Sequence, residues 1–146
     1  MRKLLVEKMN WSLDSCAAPQ SETHCSRRAL VGDDHEDLST LYRIGLESVA
    51  FECDIACNGE TAVTYCIQRL YDVILMDFHL PDTTGCNAAR RIRLLPEYEA
   101  VPIVGCSAAD GVRELCLSAG MNVVLSKPVS LGKLVETGAA LLLPMV

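Results

Sequence analysis

Hydrophobic positions along this chain follow two periods, and segments of the two kinds take turns. Ala29-Leu30-Val31 is a short apolar run closed by Gly32. Residues 36–50 carry Leu38, Leu41, Ile44, Leu46 and Val49, a stripe at helical spacing that predicts a helix buried along that face. Residues 51–57 read as a second strand and Asn58-Gly59 as a turn. Residues 60–70 read as a helix with Ala62, Val63, Cys66, Ile67 and Leu70 on one side. Val73-Ile74-Leu75-Met76 then runs straight into Asp77, an unbroken apolar run expected of a strand covered on both faces. A basic amphipathic helix over 84–95, a strand over 102–106, a short helix over 111–119, a strand over 122–126 and a last helix over 130–143 complete the series. Strand and helix in strict alternation predict an α/β fold, (βα)5, a doubly wound five-stranded parallel sheet with right-handed crossovers.

The first 26 residues stand apart. Leu4, Leu5, Met9 and Leu13 are spaced for a short helix, and residues 14–26 are small and polar, the composition of a linker. The expected organisation is an N-terminal extension over 1–26 and one domain over 27–146.

Composition narrows the function. Half the residues are hydrophobic, which argues against a disordered chain. A net charge of -6 argues against an extended nucleic-acid surface, which needs clustered Lys and Arg. The longest apolar run, 138–146, is too short to span a bilayer. The start, Met1-Arg2-Lys3-Leu4-Leu5-Val6, is broken by Glu7 and Lys8 before it makes a signal peptide, so a cytoplasmic protein is expected. Eight cysteines form no CxxC pair, and His24, His35 and His79 show no regular spacing. Zinc is therefore not indicated, and the cysteines read mostly as small buried hydrophobes.

Parallel strands place all their carboxyl ends on one edge, where open α/β sheets hold their ligands. Asp33 and Asp34 follow the first strand and Asp77 ends the third, with one βαβαβ excursion between them. Three carboxylates crowded together repel, and a hard divalent cation resolves the repulsion. Magnesium (or manganese) suits such a set, with oxygen ligands at about 2.1 Å. Ser107 and Lys127 end the fourth and fifth strands on the same edge. A hydroxyl and an ammonium beside a metal-bound carboxylate can hold phosphoryl oxygens while the carboxylate attacks in line, giving an aspartyl phosphate.

These residues resemble those of response-regulator receiver domains over about residues 27–143. The resemblance rests on Asp33-Asp34, Asp77 in Leu-Met-Asp-Phe-His-Leu-Pro, Gly85, Ser107 in Val-Pro-Ile-Val-Gly-Cys-Ser-Ala, and Lys127-Pro128 in Val-Val-Leu-Ser-Lys-Pro. It implies a flavodoxin-like sheet and Asp77 as phosphoacceptor. It implies Asp33, Asp34, Asp77 and the His79 backbone carbonyl as metal ligands. Ser107 is then the switch hydroxyl, Lys127 the phosphoryl contact, and the Lys127-Pro128 bond cis. The implied partners are a histidine kinase or a histidine phosphotransfer protein, with a homodimer face on the fourth helix, fifth strand and fifth helix. No enzyme activity is implied beyond the domain's own phosphorylation and dephosphorylation. Ala-Ala-Arg-Arg-Ile-Arg at 88–93 and Leu-Ser-Lys-Pro-Val at 125–129 are most similar to receivers of hybrid sensor kinases.

Val124 departs from that pattern, which has Tyr or Phe there, so a ring-rotation switch is not available. It supports the alternative of a receiver-like interaction module that works without phosphorylation. A haloacid-dehalogenase hydrolase would want an acid at position 79, and a flavodoxin would want a phosphate loop where Asp33-Asp34 stand. Plainer roles are also expected of two features: Ser107 as a helix cap, and Arg90, Arg91 and Arg93 as a solvated helix face.

Overall fold

A computed structural model of the chain describes residues 27–142. The helix expected over 1–13, the linker over 14–26, and with them His24, Cys16 and Cys25, lie outside the described residues. The elements follow the predicted order: β1 (Arg27–Gly32), α1 (Glu36–Glu47), β2 (Phe51–Ala56), α2 (Gly59–Gln68), β3 (Val73–Asp77), α3 (Gly85–Arg93), a 3-10 turn (Pro96–Tyr98), β4 (Ile103–Ser107), α4 (Arg113–Ser118), β5 (Val123–Ser126) and α5 (Leu131–Leu142). The five strands form one parallel sheet in the order β2-β1-β3-β4-β5, the flavodoxin-like order, and switch direction of travel between β1 and β3.

Alternation within the strands divides the core in two. Leu30, Ile74, Met76 and Ile103 pack on one face with Ala62, Val63, Cys66, Ala89, Ile92 and Cys116 from α2, α3 and α4. Ala29, Val31, Val73, Leu75 and Val104 pack on the other with Tyr42 and Leu46 of α1 and Leu134 of α5. Successive side chains of one strand thus enter different layers, which is why β3 and β4 carry no polar side chain before their last residues, Asp77 and Ser107.

The first helix corrects the sequence reading. Its buried residues are Ser39, Tyr42, Gly45 and Leu46, while Leu41, Ile44 and Val49 are about half exposed. Small residues choose the face. A Cβ on Gly45 would stand 3.0 Å from Leu131 Cδ2, so glycine lets α5 lie close. Ser39 is buried without an orphaned hydroxyl because its Oγ donates to the carbonyls of His35 and Glu36. Ile67, also counted as inward, is exposed.

Arg93 is a second correction. It belongs to no solvated face: its guanidinium donates to the carbonyls of Gly120, Tyr98 and Val101 and to Asn122 Oδ1, at 2.6–2.9 Å. It fastens the end of α3 to the turns before β4 and β5. Arg91 pairs with Glu60 of α2 at 2.8 Å, and Arg90 remains exposed.

Candidate functional site

Backbone hydrogen bonds carry the sheet one residue past its strands and so fix the strand ends. Asp33 N–H donates to Ala56 O at 3.0 Å, Phe78 N–H to Cys106 O at 2.9 Å, and Lys127 N–H to Ser107 O at 2.9 Å. The result is one edge on which Asp33, Asp34, Asp77, Ser107 and Lys127 stand together, as the sequence predicts. The Lys127-Pro128 bond is cis.

Lys127 Nζ lies 2.8 Å from Asp77 Oδ1 and 3.8 Å from Asp33 Oδ2. Both carboxylates are buried, at 4% and 2% exposure, whereas Asp34 opens to solvent. Burial raises the Asp77 pKa; Lys127 opposes the shift, and the charges of Asp33 and Asp34 add to it, leaving the carboxyl above its ordinary value. For Lys127, burial works against the charge, but the hydrogen bond to Asp77 and the carboxylate charges prevail and raise its pKa. One ammonium therefore serves a site with three acids.

The residues fit a divalent cation. Asp33 Oδ2 is buried and has no hydrogen-bond partner. Ligand atoms of Asp33, Asp34, His35 and Asp77 all lie within 4.8 Å of one another. A buried carboxylate oxygen is costly to leave unpaired, and a cation among these oxygens would pair it.

His35 was not singled out by sequence reasoning. Its N–H donates to Asp33 Oδ1 at 2.8 Å, and its ring Nδ1 stands 3.3 Å from Asp33 Oδ1 and 3.4 Å from Asp34 Oδ1. Direct adjacency to Asp33-Asp34 was the available signal.

The loop after Asp77 is held from two sides. Gly85 N–H donates to Phe78 O at 2.6 Å, and Thr84 caps α3 by accepting from Asn87 N–H. Asp82 reaches across to α2, accepting from Gly59 N–H at 2.8 Å and Glu60 N–H at 2.9 Å. These donors hold its carboxyl below its ordinary pKa. His79 sits on this loop with its ring exposed and edge-on to Phe78, centroids 4.8 Å apart.

Ser107 is buried, and its Oγ accepts from Ala109 N–H at 3.0 Å. It tightens the turn after β4 and does not cap α4, whose first flanking residue is Val112. Val124 is half-buried against the α2–α3–α4 layer, and its carbonyl accepts from Arg113 of α4 at 3.3 Å. Among the described cysteines Cys66, Cys86, Cys106 and Cys116 are buried, Cys53 is half-buried and Cys57 exposed. Burial pushes the Cys106 thiol, beside this site, up to about 12.

Residues 29–138 match the family model of the response regulator receiver domain. The CAI-1 autoinducer sensor kinase/phosphatase of Vibrio cholerae is 30% identical over 143 residues, covering 96% of this chain and 21% of that protein. Two-component response regulator 24 of Arabidopsis thaliana is 32% identical over 109 residues, covering 74% of this chain and 78% of that one. Several curated relatives are far longer than the stretch they share with this chain. The receiver domain of a Pseudomonas aeruginosa sensor histidine kinase, solved with a magnesium ion coordinated in its active-site cleft, superposes with a TM-score of 0.71 at 32% identity over 81% of this chain and 96% of that one. A chemotaxis response regulator of Vibrio cholerae shares the fold with a TM-score of 0.76, at 21% identity over 80% of this chain and 98% of that one.

Proposed function

The chain belongs to the response regulator receiver domain family, homologous to the phosphoacceptor domains of two-component and phosphorelay systems, and from that premise we propose that Asp77 is its phosphoacceptor. The observation that carries the reading is the Lys127 ammonium 2.8 Å from the buried Asp77 Oδ1, in an acidic cluster short of positive charge.

In this reading an Asp77 oxygen attacks the phosphorus of a phosphohistidine on a histidine kinase or histidine phosphotransfer protein. The new O–P bond forms as the N–P bond breaks, and the leaving imidazole nitrogen keeps the electron pair and takes a proton. Lys127 orients Asp77 beforehand and then neutralises a phosphoryl oxygen. Ser107 turns its hydroxyl from the Ala109 amide to donate to another. Asp33, Asp34, Asp77 and the His79 carbonyl would hold magnesium, which supplies charge neutralisation to the transferring group. The domain catalyses only its own phosphorylation and dephosphorylation, and works in the cytoplasm. Among the described residues no helix is long and apolar enough to cross a membrane.

Phosphorylation replaces the single charge of the Asp77 carboxylate with the roughly double charge of a phosphoryl group, and biases the turn that Ser107 closes. With Val124 in β5, the response travels by backbone movement of the β4–α4 turn and the Arg113–Val124 contact rather than by a rotating ring. A homodimer through α4, β5 and α5 is the assembly this would control.

Intact-mass measurement after incubation with acetyl phosphate and a divalent cation tests the reading. One phosphoryl group is expected on the native chain, and none on Asp77→Asn or after chelation of the metal. An unmodified native chain under every donor would favour the phosphorylation-independent module.

A further inference from the structure

We propose that His35 is a nitrogen ligand of the carboxyl-edge site, and that the site consequently prefers a first-row transition cation, such as nickel, cobalt or zinc, over magnesium. The proposal rests on the reading of this edge as a metal site and adds to its all-oxygen ligand set.

Three observations meet at His35. Its Nδ1 is 3.3 and 3.4 Å from one oxygen each of Asp33 and Asp34, and it shares with Asp77 the span of 4.8 Å that encloses all the donors. Ligands around an ion at about 2.1 Å stand roughly 3.0 Å apart when adjacent and about 4.2 Å when opposite, so the 3.3 and 3.4 Å contacts of His35 are near the adjacent spacing and the 4.8 Å span would contract by a few tenths of an ångström to close one shell. Asp33 Oδ2, buried and without a hydrogen bond, independently calls for a cation, because the Lys127 ammonium at 3.8 Å stays beyond hydrogen-bond reach.

The backbone sets His35 in place. Its N–H is bonded to Asp33 Oδ1, and its carbonyl accepts from Ser39 N–H at 2.9 Å and Ser39 Oγ at 3.0 Å. These bonds fix the backbone from which the ring projects. The ring itself is mostly exposed and makes no capping bond to α1, so it can turn a nitrogen toward an ion without breaking the fold. An exposed His–Asp ion pair could account for the ring position alone, but not for the unpaired buried oxygen beside it.

The chemistry of the donor decides the preference. Magnesium is hard and dehydrates reluctantly, and takes oxygen from carboxylates, carbonyls and water. Imidazole suits nickel, copper and zinc, which also stand at the high-affinity end of the Irving–Williams series, with copper at its peak. A site of carboxylates plus one well-placed imidazole therefore widens the gap between these ions and magnesium, and removing the imidazole narrows it.

Isothermal titration calorimetry of the 146-residue chain with nickel and with magnesium, on the native protein, His35→Ala and Asp33→Asn, provides the test. His35→Ala should weaken nickel by at least about tenfold, the scale on which ligand-sphere changes act, and leave magnesium within about twofold. Asp33→Asn should weaken both. Equal loss of both ions in His35→Ala, or no loss of either, overturns the proposal while leaving the metal reading intact. Absence of all divalent binding to the native chain overturns both. A second measurement needs no variant: the imidazole nitrogen resonances of His35 should move on zinc addition, together with the amides of Asp33 and Asp77. Movement of those amides with His35 unchanged would also sink the proposal.

Discussion

Gly85→Ala should damage both the stability of the domain and the geometry of Asp77. A Cβ at Gly85 would collide with the Asp77 carbonyl oxygen, well inside van der Waals contact, and would stand 3.0 Å from both Asp77 C and Met76 Cγ. The obstacle is backbone, and it cannot retreat: β3 is the middle strand, paired with β1 on one side and β4 on the other. Relief must come from the start of α3, which would lose the Gly85 N–H bond to Phe78 O. Overpacking of this kind costs about 1–3 kcal/mol. The lost buried hydrogen bond adds about 1 kcal/mol. Against these, alanine gains about 0.5–1 kcal/mol over glycine in a helix. The net loss is about 1–3.5 kcal/mol, which lowers the urea midpoint by roughly 0.7–2.3 M for an m-value of about 1.5 kcal/mol/M. Gly132→Ala is the control, because nothing lies within 4 Å of its Cβ position and it sits in α5. It should be neutral or slightly stabilising. Equilibrium urea unfolding followed by circular dichroism reads both variants. A Gly85→Ala midpoint within the error of the native chain would refute the claim that this glycine is required for the close approach of α3 to Asp77.

Lys127→Met should have opposite effects on two readouts. Phosphorylation from a small phosphodonor slows by at least about tenfold, the scale of losing one transition-state charge contact, while calorimetric affinity for a divalent cation rises because the competing ammonium is gone. A loss of both would point to a collapsed site instead. Asp82→Asn tests the clamp between the Asp77 loop and α2. The Gly59 and Glu60 amides hold the Asp82 carboxyl below its ordinary value of 3.8, so its stabilisation is present above that pH and disappears as pH falls through the lowered value. The gap in urea midpoint between native and Asp82→Asn chains should therefore be full near neutral pH and close in acid; a gap that widens in acid contradicts the assignment. Arg93→Ala, which strands several carbonyl acceptors, should cost about 2–3 kcal/mol, whereas Arg90→Ala should stay within about 0.5 kcal/mol. Equal effects in thermal unfolding would show that Arg93 is ordinary surface.

The order of elements was readable because β3 and β4 have no polar side chain until their last residue and each is followed by a helical period. The site was readable for a related reason. In a parallel sheet, residues that end strands converge whatever their separation in sequence, so Asp33, Asp77, Ser107 and Lys127 could be placed without coordinates. The face of α1 was misread because hydrophobicity was counted where close approach decides. Gly45 and Ser39 face the core, and Leu41 and Ile44 do not. Arg93 was misread because its acceptors are backbone carbonyls of distant turns, which leave no mark on side-chain pattern. The roles of His35 and Asp82 depend on loop conformation: a histidine beside two acids, or an acid in a turn, looks the same in sequence whether it points to solvent or to a site.

The central claim, that Asp77 accepts the phosphoryl group, is tested most directly by mapping the modification. The native chain is phosphorylated with acetyl phosphate and a divalent cation, reduced with borohydride to convert an acyl phosphate into homoserine, digested and sequenced by mass spectrometry. Homoserine at position 77 alone is the predicted result. Homoserine at position 33 or 34, or a phosphoryl group that resists reduction and maps to a serine or histidine, would contradict it.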